Sequence, residues 1–367
     1  MSKDLGLRMS EKIKHYLMYV EQNYSFAILR PLQEAILKRG ENIAWFIAGK
    51  EANKSLLKNN ERSLTSIDEI MTFNPDAIFY PANMAPTFLP GLNVAIFHGF
   101  DAGKLDKRGN NDHFKIRNCF DLYCTQGPST TQPFKELEKQ HSHFKVIETG
   151  WCALDELFKE SPTTNTEKPT ILMCSTFSKR LSCAPHLLET VKKLSETGKW
   201  NWLVQFHPKM PLEIINSYKN IQNDNLSFIE ASNVIPLLRK ADVMVCDTSS
   251  VLLMFLLLNK PVVSYKNIAP RDYLLNITEP NELEEAIEYA LSKPKELMHN
   301  ISNFISQTHP IQDGNASERV LDTVDDALSG KFALTKKPYD IVRQFKMRNK
   351  LKYWKFCFRP NINRDKS

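Results

Sequence analysis

The chain alternates short apolar runs with longer amphipathic ones. Apolar runs at 43–48, 77–80, 94–97, 122–125 and 145–148 read as buried strands, and helical spacing appears at 32–38 and 130–139. Residues 159–168, KESPTTNTEK, interrupt this pattern with the Ser/Thr/Pro-rich composition of an interdomain linker. The alternation then restarts. Runs at 170–174, 202–206, 226–229, 243–246 and 261–265 predict strands, with helices at 185–194, 234–240, 249–258 and 282–291. Strands that alternate with helices predict βαβ units and parallel sheets. No repeat of solenoid length appears. The simplest α/β architecture is two doubly wound domains facing a central cleft. The expected division is an N-terminal extension (1–25), an N-terminal Rossmann-like domain (26–160), a C-terminal one (165–330) and a basic aromatic tail (331–367).

Composition supports this division. At 367 residues, and roughly 150 residues per domain, two domains fit. A hydrophobic share of 42% and a charged share of 25% exclude a disordered, collagenous or coiled-coil body. The longest apolar run, 251–258, is far short of the ~20 residues of a membrane span. The charged first residues lack the apolar core of a signal peptide, so none is expected. Charge is uneven: residues 331–367 hold 12 Lys/Arg and 2 Asp/Glu, so with +6 overall the rest of the chain carries −4. A basic tail points to phosphate-rich partners, a lipid surface or nucleic acid. The seven cysteines form no CxxC pair, which suits a reducing cytosol and gives no zinc signature.

In doubly wound sheets ligands bind beyond the carboxyl ends of the strands. Four predicted strands end in chemically capable residues. The run 94–97 is followed by His98-Gly99, and 202–206 by His207-Pro208. The run 170–174 is followed by Ser175-Thr176-Phe177-Ser178-Lys179-Arg180, and 243–246 by Asp247-Thr248-Ser249-Ser250. Each alone has a plain structural reading: a loop histidine, a solvated basic pair, or an Asp capping the helix that follows it. Their coincidence at one end of the strands points to a site. A helix N-terminus with serine hydroxyls can cradle phosphate, Lys179 or Arg180 can neutralise a diphosphate, and a histidine can take a proton near neutral pH. No GxGxxG, Walker, HExxH or GxSxG pattern is present, which argues against dehydrogenases, ATPases, zinc proteases and serine hydrolases. No metal or cofactor is expected.

These residues resemble the CDP-glycerol glycerophosphotransferase family, which includes primases and polymerases of wall teichoic acids. His98-Gly99 followed by Lys104, then Ser175-Thr176-Phe177, His207-Pro208, Asp247-Thr248-Ser249-Ser250 and Asp313-Gly314-Asn315-Ala316-Ser317-Glu318-Arg319 stand in that family's order. The resemblance runs over about residues 26 to 325. It implies a GT-B-type fold and transfer of glycerol phosphate, or a related polyol phosphate, from a CDP-linked donor to a hydroxyl of a cell-surface polymer or lipid-linked glycan, releasing CMP. It implies catalytic roles for His98 and His207. Donor contacts would come from Thr176, Lys179, Arg180, Pro208, Asp247, Thr248, Ser249 and Ser250, and acceptor-side ones from Gly99 and Lys104. Two positions depart from the family pattern: Ser178 stands where an Arg is common, and Thr248 where an aromatic is common. The long extra N-terminal region of the polymerases is not in this sequence, so a single transfer is expected rather than polymerisation.

Three rivals are weighed against this reading. A nucleotide-sugar glycosyltransferase, such as a Kdo-transferase-like capsule or lipopolysaccharide enzyme, would share the fold. A UDP-sugar 2-epimerase relative would need acidic residues around the sugar, and no matching motif appears. A non-enzymatic nucleic-acid-binding module is disfavoured by the acidic body and the absence of any RNA- or DNA-binding motif, so no nucleic-acid partner is expected. The tail, with aromatics interleaved among Arg and Lys from 338 to 359, is expected to hold a cytoplasmic enzyme peripherally on an anionic membrane.

Overall fold

The computed structural model describes residues 12–355, apart from 50, 101–108, 110, 160–166 and 231–232. The chain forms two compact units, 1–155 with 315–367, and 156–314. Each is built on a parallel sheet, the α/β class predicted.

The first unit contains β1 (His15–Val20), α1 (Tyr24–Lys38), β2 (Asn42–Ile47), β3 (Ser63–Leu64), α2 (Ile67–Phe73), β4 (Ala77–Tyr80), β5 (Leu92–Ala95), β6 (Leu122–Thr125), α3 (Pro128–Gln140) and β7 (Lys145–Glu148). Its strands are ordered β3-β2-β1-β4-β5-β6-β7, all parallel. Five strands match the predicted runs, but β1 lies in what was expected to be an extension. Its HYLMYV sequence is apolar on both faces because it pairs with β2 on one side and β4 on the other.

The short helix α4 (Asp155–Phe158) leads into the second unit. There follow β8 (Thr170–Ser175), α5 (Ala184–Glu196), β9 (Asn201–Phe206), α6 (Leu212–Asn220), β10 (Leu226–Phe228), α7 (Ile235–Lys240), β11 (Val243–Cys246), α8 (Val251–Leu256), β12 (Val262–Tyr265), β13 (Leu275–Ile277), α9 (Leu283–Leu291) and α10 (Lys295–Thr308). Strand order is β10-β9-β8-β11-β12-β13, the same winding as the first six strands of unit one. The order reverses between β1 and β4 in one unit and between β8 and β11 in the other, the switch points of a Rossmann-like sheet.

The chain then returns to the first unit with α11 (Ala316–Leu328) and α12 (Ile341–Leu351). This corrects the expected 165–330 and 331–367 divisions. Val320, Leu321 and Val324 are buried in the same core as Phe26, Leu29 and Ile36 of α1. Arg39 at the end of α1 grips Glu318 at 2.8 Å, Asp322 at 2.6 Å and Asp325 at 3.2 Å. The buried Asp155 carboxylate accepts the N–H groups of Ala316 and Ser317, both at 2.8 Å, and so caps α11. Arg319 donates to the Thr149 carbonyl at 2.7 Å. The segment 313–319 thus fastens a helix to the first unit.

One device recurs at the strand beginnings. Asp76, Asp121 and Asp242 each stand just before a strand and accept a backbone N–H at or near the start of a neighbouring one: His15 at 2.9 Å, Asn93 at 2.8 Å and Thr170 at 2.8 Å. Acceptor-only carboxylates satisfy amides that the ladder leaves open. The opposite ends of the strands carry the candidate chemistry.

Candidate active site

In the first unit, β5 runs into Ile96, Phe97 and His98. Phe97 has φ +57°, the left-handed region that a bulky side chain rarely adopts. Three contacts hold this conformation. Trp151 donates from Nε1 to the Phe97 carbonyl at 3.4 Å. The fully buried Gln126, directly after β6, donates to the Gly99 carbonyl at 2.8 Å. His98 itself bonds through Nδ1 to the Pro81 carbonyl at 3.0 Å. A carbonyl only accepts, so Nδ1 carries the proton and the neutral ring leaves Nε2 as a bare lone pair. The ring is exposed and stacks on Tyr24, with centroids 5.6 Å apart. Gly99 is half-buried, and Lys104 lies outside the described residues.

In the second unit the strand ends of β8, β9 and β11 come together. His207 follows β9, is exposed, and tilts against Phe177 with centroids 4.6 Å apart. Its Nδ1 accepts the backbone N–H of Lys209 at 3.1 Å. The neutral ring therefore carries its proton on Nε2, the reverse of His98. Partial desolvation, and then the charge of Lys209, hold its pKa below the ordinary histidine value.

Asp247 differs from expectation. It is buried, and its carboxylate does not cap α8. Its carboxylate accepts from Ser175 Oγ at 2.6 Å, from the Thr176 N–H at 3.0 Å and from the Cys183 N–H at 3.0 Å. Ser182 Oγ lies 2.9 Å from Ser175 Oγ, and the Leu181 and Ser182 N–H groups turn back onto the Ser178 carbonyl at 2.9 and 2.8 Å. The segment 175–183 is thereby closed into a compact loop ahead of α5. Lys179 and Arg180 stand exposed on it and make no ion pair among the described residues. Ser178 supplies the carbonyl that closes the turn, and the two cations follow it in the loop. Burial, and then Asp247, push the Cys174 thiol behind this loop up to about 12, out of reach of nucleophilic chemistry.

Thr248 Oγ1 accepts the Ile268 N–H at 3.1 Å, tying this strand end to the loop after β12. The Ser249 N–H bonds to the Asp247 carbonyl at 3.1 Å, which removes one donor from the expected phosphate cradle. The Ser249 and Ser250 hydroxyls make no hydrogen bond among the described residues, and Pro208 is exposed beside His207. Thus Thr176, Phe177, Lys179, Arg180, His207 and Pro208 share one end of the second sheet with Thr248, Ser249 and Ser250. His98 and Gly99 occupy the corresponding end of the first. Among the described residues no group of three or more His, Cys, Asp or Glu is arranged to hold a metal ion. None of their helices is long and apolar enough to cross a membrane.

Pro81, Gln126, Trp151 and Tyr24 were not singled out from sequence, although Gln126 obeys the rule that found the histidines: a polar residue directly after a strand.

Comparison with known proteins adds the family. A family model described as CDP-Glycerol:Poly(glycerophosphate) glycerophosphotransferase matches residues 120–326, more than half of the chain. The match spans His207 and the donor-side segments and begins after His98. No curated protein matches the chain. Among solved structures, the wall teichoic acid polymerase TagF is similar over 87% of this chain and 89% of its own, at 14% identity and a TM-score of 0.59. The MnaA–UDP co-structure of S. aureus is similar over 90% and 100%, at 16% identity and 0.58. A UDP-N-acetylglucosamine 2-epimerase is similar over 90% and 100%, at 13% identity and 0.58. At such identities the likeness establishes the fold alone, a GT-B-like pair of Rossmann-like units, shared by transferases and epimerases.

Proposed function

The chain belongs to the CDP-glycerol:poly(glycerophosphate) glycerophosphotransferase family, and from that premise we propose that it moves glycerol phosphate, or a related polyol phosphate, from a CDP-linked donor to an acceptor hydroxyl. The observation that carries the reading is the opposite tautomers of the two histidines. His98 presents a bare Nε2, the form a general base needs; His207 presents Nε2–H, the form that donates to a phosphoryl oxygen.

The step is an in-line displacement. The acceptor hydroxyl gives its proton to His98 Nε2 as its oxygen forms a bond to the β-phosphorus. The bond between that phosphorus and the bridging oxygen breaks, and the electron pair leaves with CMP. His207 Nε2–H, the side chains of Lys179 and Arg180, and the Ser249 and Ser250 hydroxyls stabilise the charge on the phosphoryl and departing oxygens. Thr176 and Pro208 shape the donor side, Thr248 holds the loop beside it, and Gly99 and Lys104 lie on the acceptor side. Asp247 serves by holding the 175–183 loop. Positioning and electrostatics supply most of the catalysis, as phosphoryl transfer requires.

The acceptor is a hydroxyl of a lipid-linked glycan or cell-surface polymer, modified once per encounter. The enzyme works at the cytoplasmic face of the membrane, held there by its basic tail. Incubation with CDP-glycerol, CDP-ribitol and a panel of nucleotide sugars, with mass spectrometry of both products, tests the reading. Release of CMP with a mass gain of one polyol phosphate is expected. UDP or GDP release with a sugar gain would replace it by a glycosyltransferase.

A further inference from the structure

The tail reads in sequence as one basic aromatic stretch. Phe356, Phe358 and Arg359 of this stretch lie outside the described residues; those up to Lys355 separate into two sets. The inward set fixes the helix to unit one. Met347 and Tyr353 are buried, the latter in the core on the α2 side of the sheet. The Arg348 guanidinium lies 4.3 Å over the Phe88 ring, and Gln344 bonds to Thr87. Lys337 pairs with the nearly buried Asp121 at the start of β6. Lys350 pairs with Glu21, just past the end of β1, at 2.5 Å, and Lys355 with Asp68 at 2.8 Å. The segment therefore climbs from the strand beginnings to the strand ends, where His98 lies.

The outward set has no such role. Tyr339, Ile341, Val342, Phe345 and Trp354 are 74%, 73%, 63%, 60% and 44% exposed. Lys352, in the left-handed region at φ +51°, turns the chain so that Trp354 folds back on Phe345, with ring centroids 5.1 Å apart. Ile341, Val342 and Phe345 share one helix face by their i, i+1, i+4 spacing. In the same segment Lys336, Lys346 and Lys352 are exposed and make no ion pair among the described residues. The other lysines of this segment, by contrast, are matched to carboxylates.

We infer that this outward face, Ile341, Val342, Phe345 and Trp354 with Lys336, Lys346 and Lys352, is an interfacial docking surface for an anionic lipid bilayer, and that it sets the first unit on the membrane with the His98 end of its sheet near the headgroups. This deepens the reading of the tail above and rests on it for why a membrane is needed. Charge and shape select the occupant. Exposed apolar side chains interleaved in sequence with unmatched cations suit a surface that offers acyl chains and anionic headgroups together. The Trp and Phe rings are of the kind that settle at headgroup depth. Because the inward set is docked, the face is presented on an already folded helix, and binding does not have to order its backbone.

The test uses the full chain and needs no substrate. Sedimentation with vesicles of phosphatidylglycerol and phosphatidylcholine, against phosphatidylcholine alone, should show binding only to the anionic vesicles. The exposed pair Val342→Asp and Phe345→Asp should weaken it by at least tenfold with circular dichroism unchanged. The pair Lys346→Glu and Lys352→Glu should weaken it similarly at low salt and remove its salt dependence. Unchanged binding by the apolar pair would overturn the inference. So would self-association of the wild-type chain in sedimentation velocity that the same pair abolishes while vesicle binding stays intact, since the occupant would then be a second copy. Transfer to a soluble acceptor analogue should be unaffected in both variants. Vesicle binding without any transfer from CDP-glycerol would sink the functional reading alone; transfer without vesicle binding would sink the docking face alone.

Discussion

His98 reaches its position through a residue at φ +57°, held by three contacts to backbone carbonyls, whereas His207 follows β9 with no left-handed residue beside it and accepts from the backbone N–H of Lys209 in its own loop. Around His98 the carbonyls of Pro81, Phe97 and Gly99 are all occupied by donors. Around His207 a buried carboxylate gathers N–H and O–H groups and closes the neighbouring loop. The same sheet winding therefore supports two opposite hydrogen-bond polarities. One strand end leaves an acceptor nitrogen facing outward; the other leaves a donor nitrogen and two cations. The contrast explains how folds shared with sugar epimerases serve a phosphotransferase family: the sheet provides the strand ends, and the chemistry follows from what occupies them.

The contrast breaks most sharply if the two histidines are exchanged for glutamine. Glutamine keeps an N–H donor of similar reach and cannot act as a base. His98→Gln should lower kcat by about 10²–10⁴, the usual loss of a general base. His207→Gln should stay within about tenfold of the wild-type rate, because the donor hydrogen bond survives. His207→Ala should fall well below His207→Gln. Steady-state CMP release by the three folded variants decides this. Equal losses in the two glutamine variants would erase the distinction between base and donor.

The supporting residues should differ in the same sense. Asp247→Ala leaves the Ser175 hydroxyl and the Thr176 and Cys183 amides without their buried acceptor and should cost on the order of 3 kcal/mol in denaturant unfolding. It should also raise KM for the CDP-linked donor more than it lowers kcat, since it loosens the loop bearing Lys179 and Arg180. Gln126→Leu removes the bond to the Gly99 carbonyl and the longer one from Thr130 Oγ1 at 3.3 Å, and should cost about 1–2 kcal/mol, with the loss in kcat and the donor KM unchanged. A KM effect from Gln126→Leu, or none from Asp247→Ala, would mean that the two loops do not serve separate substrates.

Much of this was legible in the sequence, because strands buried on both faces leave contiguous apolar runs and the residue after each run stands at the functional end. The Asp that precedes three strands is equally local. What escaped was set by distant partners. The β1 run HYLMYV reads as apolar, yet nothing nearby says that it is an interior strand between β2 and β4. The spacing of Val320, Leu321 and Val324 announces an amphipathic helix without saying whose core it fills. Asp247 followed by hydroxyl residues reads as a cap for α8, but its partners lie 64 to 72 residues earlier. The contacts that fix the His98 tautomer involve carbonyls, which no motif records.

The smallest expected effect concerns the titration of His207. Partial desolvation and the Lys209 charge both lower its pKa, so the folded ring stays neutral to a lower pH than an unfolded one. At pH above about 6.5, the ordinary histidine value, both states are neutral and the residue adds nothing to the pH dependence of folding. As pH falls below that value the unfolded chain takes up the proton first, so His207 destabilises the fold progressively until its own folded pKa is passed. Protonation also puts a hydrogen on Nδ1, where it opposes the Lys209 N–H that the nitrogen now accepts. Lys209→Ala removes the side-chain charge and keeps the backbone donor, so the pKa should rise while the tautomer persists. The NMR titration of the His207 Cε1 proton reads both changes. A midpoint at or above the ordinary value in the wild type would remove the basis for a neutral donor, and a fall in Lys209→Ala would show that Lys209 acts on the ring otherwise than by its charge.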